Sequence, residues 1–166
     1  MTGGEKRMKK GFWHKAVVMI LAGMLAVLSV TPVSAASLLD EVKPLETEAD
    51  FAEDTSYVLL RGNNLSFGNA KITKLASNKV NIFGLTQGIR NCDTMYLSLY
   101  LERKVNGVYS TYKSWDFTVN NDTSLAQSIN VIVPSGYYYR VRGYHAAKEG
   151  GVKESTTTLT NGILVK

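Results

Sequence analysis

Four constellations in this sequence carry residue types that could do chemistry: a thiol with an imidazole, two carboxylates, three aspartates, and a row of tyrosines with arginines. Cys92 and His145 would give a nucleophile and its base if two strands brought them together. The residues around Cys92 carry no thiol-protease motif, so both read as structural. Glu102 and Asp116 are the one carboxylate pair on adjacent strands that glycoside hydrolysis would need. They read more simply as solvent-facing strand charges. Asp93, Asp116 and Asp122 could offer oxygens to calcium, but no EF-hand spacing supports that use. Cys92 has no second thiol at CxxC spacing, so no zinc set assembles. The expectation is a protein that is not an enzyme and holds no cofactor or metal.

The elements that must position these groups are strands. Met95, Leu97, Leu99 and Leu101 alternate with Tyr96, Ser98, Tyr100 and Glu102, a clear period of two. Asn106-Gly107 follows, a hairpin signal because a type I′ turn needs positive φ at both positions. Further strands are expected at about Tyr57–Leu75, at Val80–Gly84, from Val108 to Val119, around Leu125–Val133, at Tyr137–Ala147 and at Thr156–Val165. Pro134-Ser135-Gly136 and Gly150-Gly151 turn the chain between them. Trp115 shares a parity with Lys113, Phe117 and Val119 that reads as core, with an exposed sugar-stacking ring as the alternative. No helical apolar period occurs after Thr55, and the pattern predicts an all-β antiparallel sandwich of about seven strands.

Val133-Pro134-Ser135-Gly136-Tyr137-Tyr138-Tyr139-Arg140-Val141-Arg142 resembles the E–F corner and F strand of fibronectin type III and immunoglobulin-like domains. The resemblance implies that the Tyr139 hydroxyl returns to the backbone, although the extra residue in Pro-Ser-Gly departs from the pattern. Leu60-Arg61-Gly62-Asn63-Asn64-Leu65, Thr111-Tyr112-Lys113-Ser114-Trp115 and the run Gly136–His145 are similar to a family of short secreted Gram-positive bacterial proteins with no assigned function. That likeness implies export and a β fold, and supplies no site.

In such a sandwich, leucines pointing inward leave their neighbours outside. Tyr96 and Tyr100 then share one face with Tyr138, Arg140, Arg142 and Tyr144. These six are the candidate ligand-binding residues. Tyrosine and arginine bury large areas yet keep polar tips, rings stack on sugars, and guanidinium forks grip anions. The same row also reads as an ordinary outward face, with arginines shielding a sheet. The expected ligand is a carbohydrate, an anionic envelope polymer or a protein partner. The alternative is a structural component of the cell envelope or extracellular matrix without a discrete site.

Residues 1–35 read as a secretory signal peptide with its helix. Five basic residues up to Lys15 precede an apolar run from Ala16 to Val30, and Pro32 stands before the small residues Val33-Ser34-Ala35. The run is shorter than the roughly 20 residues of a spanning helix. Cleavage is expected after Ala35, with release from the cell and membrane contact only through the signal. Five of the 19 Lys and Arg residues and one of the 14 Asp and Glu residues lie there, so the net charge of +5 falls to about +1. That balance argues against a nucleic-acid partner. Residues 36–54 hold seven acids against Lys43 alone, while residues 55–166 carry a net +7. The acidic stretch reads as a flexible leader, with a spacer, a propeptide or an intramolecular screen as its uses. The domain is placed at residues 55–166. With Cys92 the sole cysteine, the core must supply stability without an intrachain disulfide.

Overall fold

The computed structural model describes residues 46–58 and 62–166. The signal peptide, its helix and residues 36–45 of the leader lie outside the described residues. Among these residues eight strands follow one another: β1 (Glu46–Thr47), β2 (Phe51–Tyr57), β3 (Leu65–Ala76), β4 (Lys79–Val105), β5 (Val108–Ile132), β6 (Tyr137–Glu149), β7 (Val152–Leu159) and β8 (Gly162–Val165). Among the described residues there is no helix, so this part of the chain is all-β as its pattern predicts.

The long strands correct the expected layout. Two pairs of predicted strands are each one continuous strand, β4 of 27 residues and β5 of 25. They form a hairpin closed by Asn106 (φ 51°) and Gly107 (φ 83°), the positive-φ pair that the Asn-Gly dipeptide predicts. Midway, the register breaks between Gln87 and Cys92, and opposite the break Asn121 sits at φ 52°. Such a bulge bends the strands and changes which parity faces in. Val80, Ile82 and Thr86 are buried before it, and Met95, Leu97, Leu99 and Leu101 after it.

The bend makes one sheet serve as two faces. The first half of β4 pairs with β3, and β3 with β2. The second half pairs with β6, which continues to β7 and β8. All ladders are antiparallel except β1 on β8. An immunoglobulin-type sandwich divides its strands between two sheets; here β4 and β5 run through both halves, and the sheet curls towards a barrel. Leu65, Ile72, Ile82, Leu97, Leu99, Leu101, Val141 and Ile163 fill the enclosed core with no exposure. Burying each such side chain contributes about 1.5–3 kcal/mol.

Side chains rather than a ladder join β2 and β3 to β7. Ser56 Oγ meets Thr156 Oγ1 at 2.6 Å, and Asp54 accepts the Leu159 amide at 2.8 Å. The Glu154 carboxylate accepts three successive amides, those of Asn63 (2.8 Å), Asn64 (3.0 Å) and Leu65 (2.9 Å). These amides hold its pKa below the usual carboxylate range, against an opposing desolvation that is the largest single influence.

The sheet also takes up residues assigned to the flexible leader. β1 and most of β2 lie within residues 46–54, with Ala52 buried in the core. The acids there pair with bases further on: Glu46 with Lys104, Glu48 with Lys166, Asp50 with Lys74 and Glu53 with Lys71. Four of the acids in residues 46–54 therefore face bases of later strands or of the C-terminus. Charge composition pointed to a solvated leader because complementary partners distant in sequence are invisible in a local window.

Candidate functional site

The β4–β6 ladder sets out the tyrosine and arginine row. Tyr96 stands opposite Ala146, Ser98 opposite Tyr144, Tyr100 opposite Arg142 and Glu102 opposite Arg140. Between these pairs lie Leu97–His145, Leu99–Gly143 and Leu101–Val141, all buried. The six candidate residues, Tyr96, Tyr100, Tyr138, Arg140, Arg142 and Tyr144, therefore share the outer face, and each is half-buried.

Cations lie over the rings. The Arg142 guanidinium is 4.3 Å from the Tyr100 centroid, and Lys153 from β7 is 4.3 Å from Tyr96 and 5.5 Å from Tyr144. Arg140 lies 4.1 Å from the ring of Tyr109, and Lys104 is 5.8 Å from Tyr109 and 6.0 Å from Tyr138. Such contacts contribute about 0.5–2 kcal/mol each, more where water is excluded.

Glu102 organises the centre. It is only 6% exposed, not the solvent-facing charge that alternation predicts. Its two oxygens accept Arg140 Nε at 2.7 Å and Arg142 Nε at 2.9 Å. Two guanidinium groups folded over one carboxylate shield it from water, which explains the burial.

Tyr109 and Lys104 were missed as members of this face, although the sequence held the signal. Counting back from Asn106-Gly107 pairs Val105 with Val108 and Lys104 with Tyr109. The Tyr109 ring crosses the face to β8, where its hydroxyl rests against Gly162; a β-carbon there would collide with it. Burial first, and the Glu46 carboxylate second, raise the Tyr109 phenol well above its ordinary pKa.

The catalytic constellations do not assemble. His145 is fully buried between two hydroxyls, Thr86 Oγ1 at 3.1 Å from Nδ1 and Thr158 Oγ1 at 2.9 Å from Nε2. Burial lowers its pKa to about 4. The Cys92 thiol donates instead to the Arg90 and Asn64 carbonyls, and burial raises its pKa, the opposite of activation. Asp116 accepts the Ser98 hydroxyl at 2.5 Å. Its β4 neighbour Ser98 is four residues from Glu102, which is about 13 Å along a strand. Glycosidase carboxylates need roughly 5–9.5 Å. Asp93 accepts the Gly150 amide and Asp122 the amides of Thr123 and Ser124, so each of the three aspartates serves a different partner. Trp115, opposite Leu99, is half-buried and packs on the core.

No curated protein matches the chain. Among solved structures, the sporulation control protein Spo0M from Bacillus subtilis is similar at 13% identity and a TM-score of 0.35, over 71% of this chain and 51% of that one. The chain thus spans about half the length of that protein. A family of unknown function, DUF6147, matches residues 42–163, and the chain belongs to that family.

Proposed function

We propose that this protein is an exported, non-catalytic binding module whose tyrosine and arginine face recognises an acidic envelope polysaccharide. The observation that carries this reading is the row of cations over rings, held by Glu102 at its centre. Four tyrosines offer ring faces for sugars, and the guanidinium and ammonium groups offer charge for carboxylates. A pleated outer face suits an extended polymer along the strands. The side chains are already fixed by one another, so little ordering entropy opposes binding. Export is supported by the signal-peptide pattern of residues 1–35. Kinship with immunoglobulin-like sandwiches is supported by the Tyr139 hydroxyl, which donates to the Pro134 carbonyl at 2.8 Å.

Glycan arrays and cell-wall pull-downs comparing the protein with Tyr100→Ala/Arg142→Ala test the reading. Loss of one stacked cation and its ring is expected to weaken binding about tenfold or more. Equal retention of both proteins would remove it.

A structural role in the envelope or extracellular matrix is the second reading. Among the described residues no strand pairs with the outer side of β5 along its 25 residues. An open edge of that length is a template for another chain. Concentration-dependent sedimentation separates the two: growing assemblies favour the structural role, and a monomer throughout favours the binding module.

A further inference from the structure

Among the described residues, Glu46 is the one acid of the N-terminal stretch that lands on the tyrosine face. Its Oε1 takes the Lys104 ammonium and lies 3.5 Å from the Tyr109 hydroxyl, the long end of hydrogen-bond range. The Arg140 guanidinium lies over the Tyr109 ring at 4.1 Å from its centroid, while the Tyr138 ring borders Lys104 at 6.0 Å. The face therefore holds two carboxylates of different standing. Glu102 is built into a 27-residue strand and is almost fully buried. Glu46 sits on β1, a two-residue strand anchored to β8 by Glu46↔Gly162 and Thr47↔Ile163. Its side chain is 31% exposed, and a partly solvated ion pair of this kind is weak.

We infer that the corner made by Lys104, Tyr109 and Arg140 is a binding subsite for a carboxylate of an acidic polysaccharide, and that Glu46 occupies it as a displaceable internal substitute. The subsite deepens the proposed function and rests on it. An incoming uronic acid places its carboxylate on Lys104 and the Tyr109 hydroxyl and its ring against Tyr138. Glu46 is then released to water together with the short β1 pairing. The class of ligand follows from the group already held there, a carboxylate beside an aromatic ring, and from the neighbouring cations that accept further carboxylates along a chain.

Polygalacturonate binding by the purified protein, followed calorimetrically, tests the subsite. Glu46→Gln keeps the size and the backbone pairing but removes the competing charge; it is expected to tighten binding about three- to tenfold. Lys104→Ala is expected to weaken binding, and in that background Glu46→Gln should no longer matter. Unchanged or weaker binding by Glu46→Gln overturns the inference, as does absence of polygalacturonate binding by both proteins. An equal gain with neutral dextran or with inorganic polyphosphate overturns the carboxylate assignment. The parent reading fails separately: Tyr100→Ala/Arg142→Ala that binds polygalacturonate normally removes the face, whereas loss in that variant with no effect of Glu46→Gln removes only the subsite.

Discussion

The imidazole of His145 lies against Gly68, in space that a β-carbon would occupy. Gly143, two residues before the histidine on β6, is as close: a β-carbon there would come within 2.5 Å of both Nε2 and the Thr158 hydroxyl. Two glycines thus make room for one ring whose nitrogens are both satisfied. Gly68→Ala is expected to cost about 2–3 kcal/mol, at the upper end of overpacking, because the ring cannot move without losing a hydroxyl partner. Thermal unfolding checks this, and a melting temperature within a degree of the parent would contradict it.

Stability should fall in mild acid. An unfolded imidazole titrates near 6.5, and burial lowers the pKa of His145 in the fold to about 4. Between these values the unfolded chain binds the extra proton. Stability is therefore fully present above pH 6.5 and declines as pH falls towards 4, by roughly 3 kcal/mol in total. Urea midpoints across that range should show the slope, and His145→Gln should flatten it; an unchanged slope in the variant would assign the effect elsewhere.

Gly162→Ala is expected to push the Tyr109 hydroxyl off the face. The ring would leave Arg140, and its phenol would lose the burial that raises its pKa. Spectrophotometric titration should then reveal one more tyrosine ionising near the ordinary value of about 10. Identical curves for parent and variant would show that the ring accommodates the methyl group.

Glu102→Gln leaves Arg140 and Arg142 with a neutral acceptor in place of a shared carboxylate. Breaking a buried pair costs about 3–5 kcal/mol. The arginine side chains here are 16% and 38% exposed, so about 1–3 kcal/mol is expected after solvent screening. A double-mutant cycle with Arg142→Ala should give a coupling above about 0.5 kcal/mol; additivity of the two changes would refute the shared role.

How much of this was legible depended on sequence distance. The alternation at Met95–Leu101 placed Tyr96 and Tyr100 outside and the leucines inside, because period two leaves only two faces to choose from. Asn106-Gly107 announced its own turn. The merging of predicted strands into β4 and β5 was hidden, since Gln87–Cys92 and Asn121 look like breaks while the ladder resumes beyond them. Glu102 was misjudged because alternation gives the side of a sheet and not what covers it. The acids of residues 46–54 find their bases through pairings that local composition cannot show, Glu46 with Lys104 above all.

The Glu154 carboxylate, gripping the amides of Asn63, Asn64 and Leu65, has a consequence for the order of events during synthesis. The start of β3 is locked by a residue made about ninety positions later. The β4–β5 hairpin can zip as soon as its own turn is translated, but the front of the domain must wait, half-finished, for the tail to arrive. A nascent chain halted before Glu154 should accordingly show protected amides around Asn106-Gly107 and freely exchanging ones at residues 63–65.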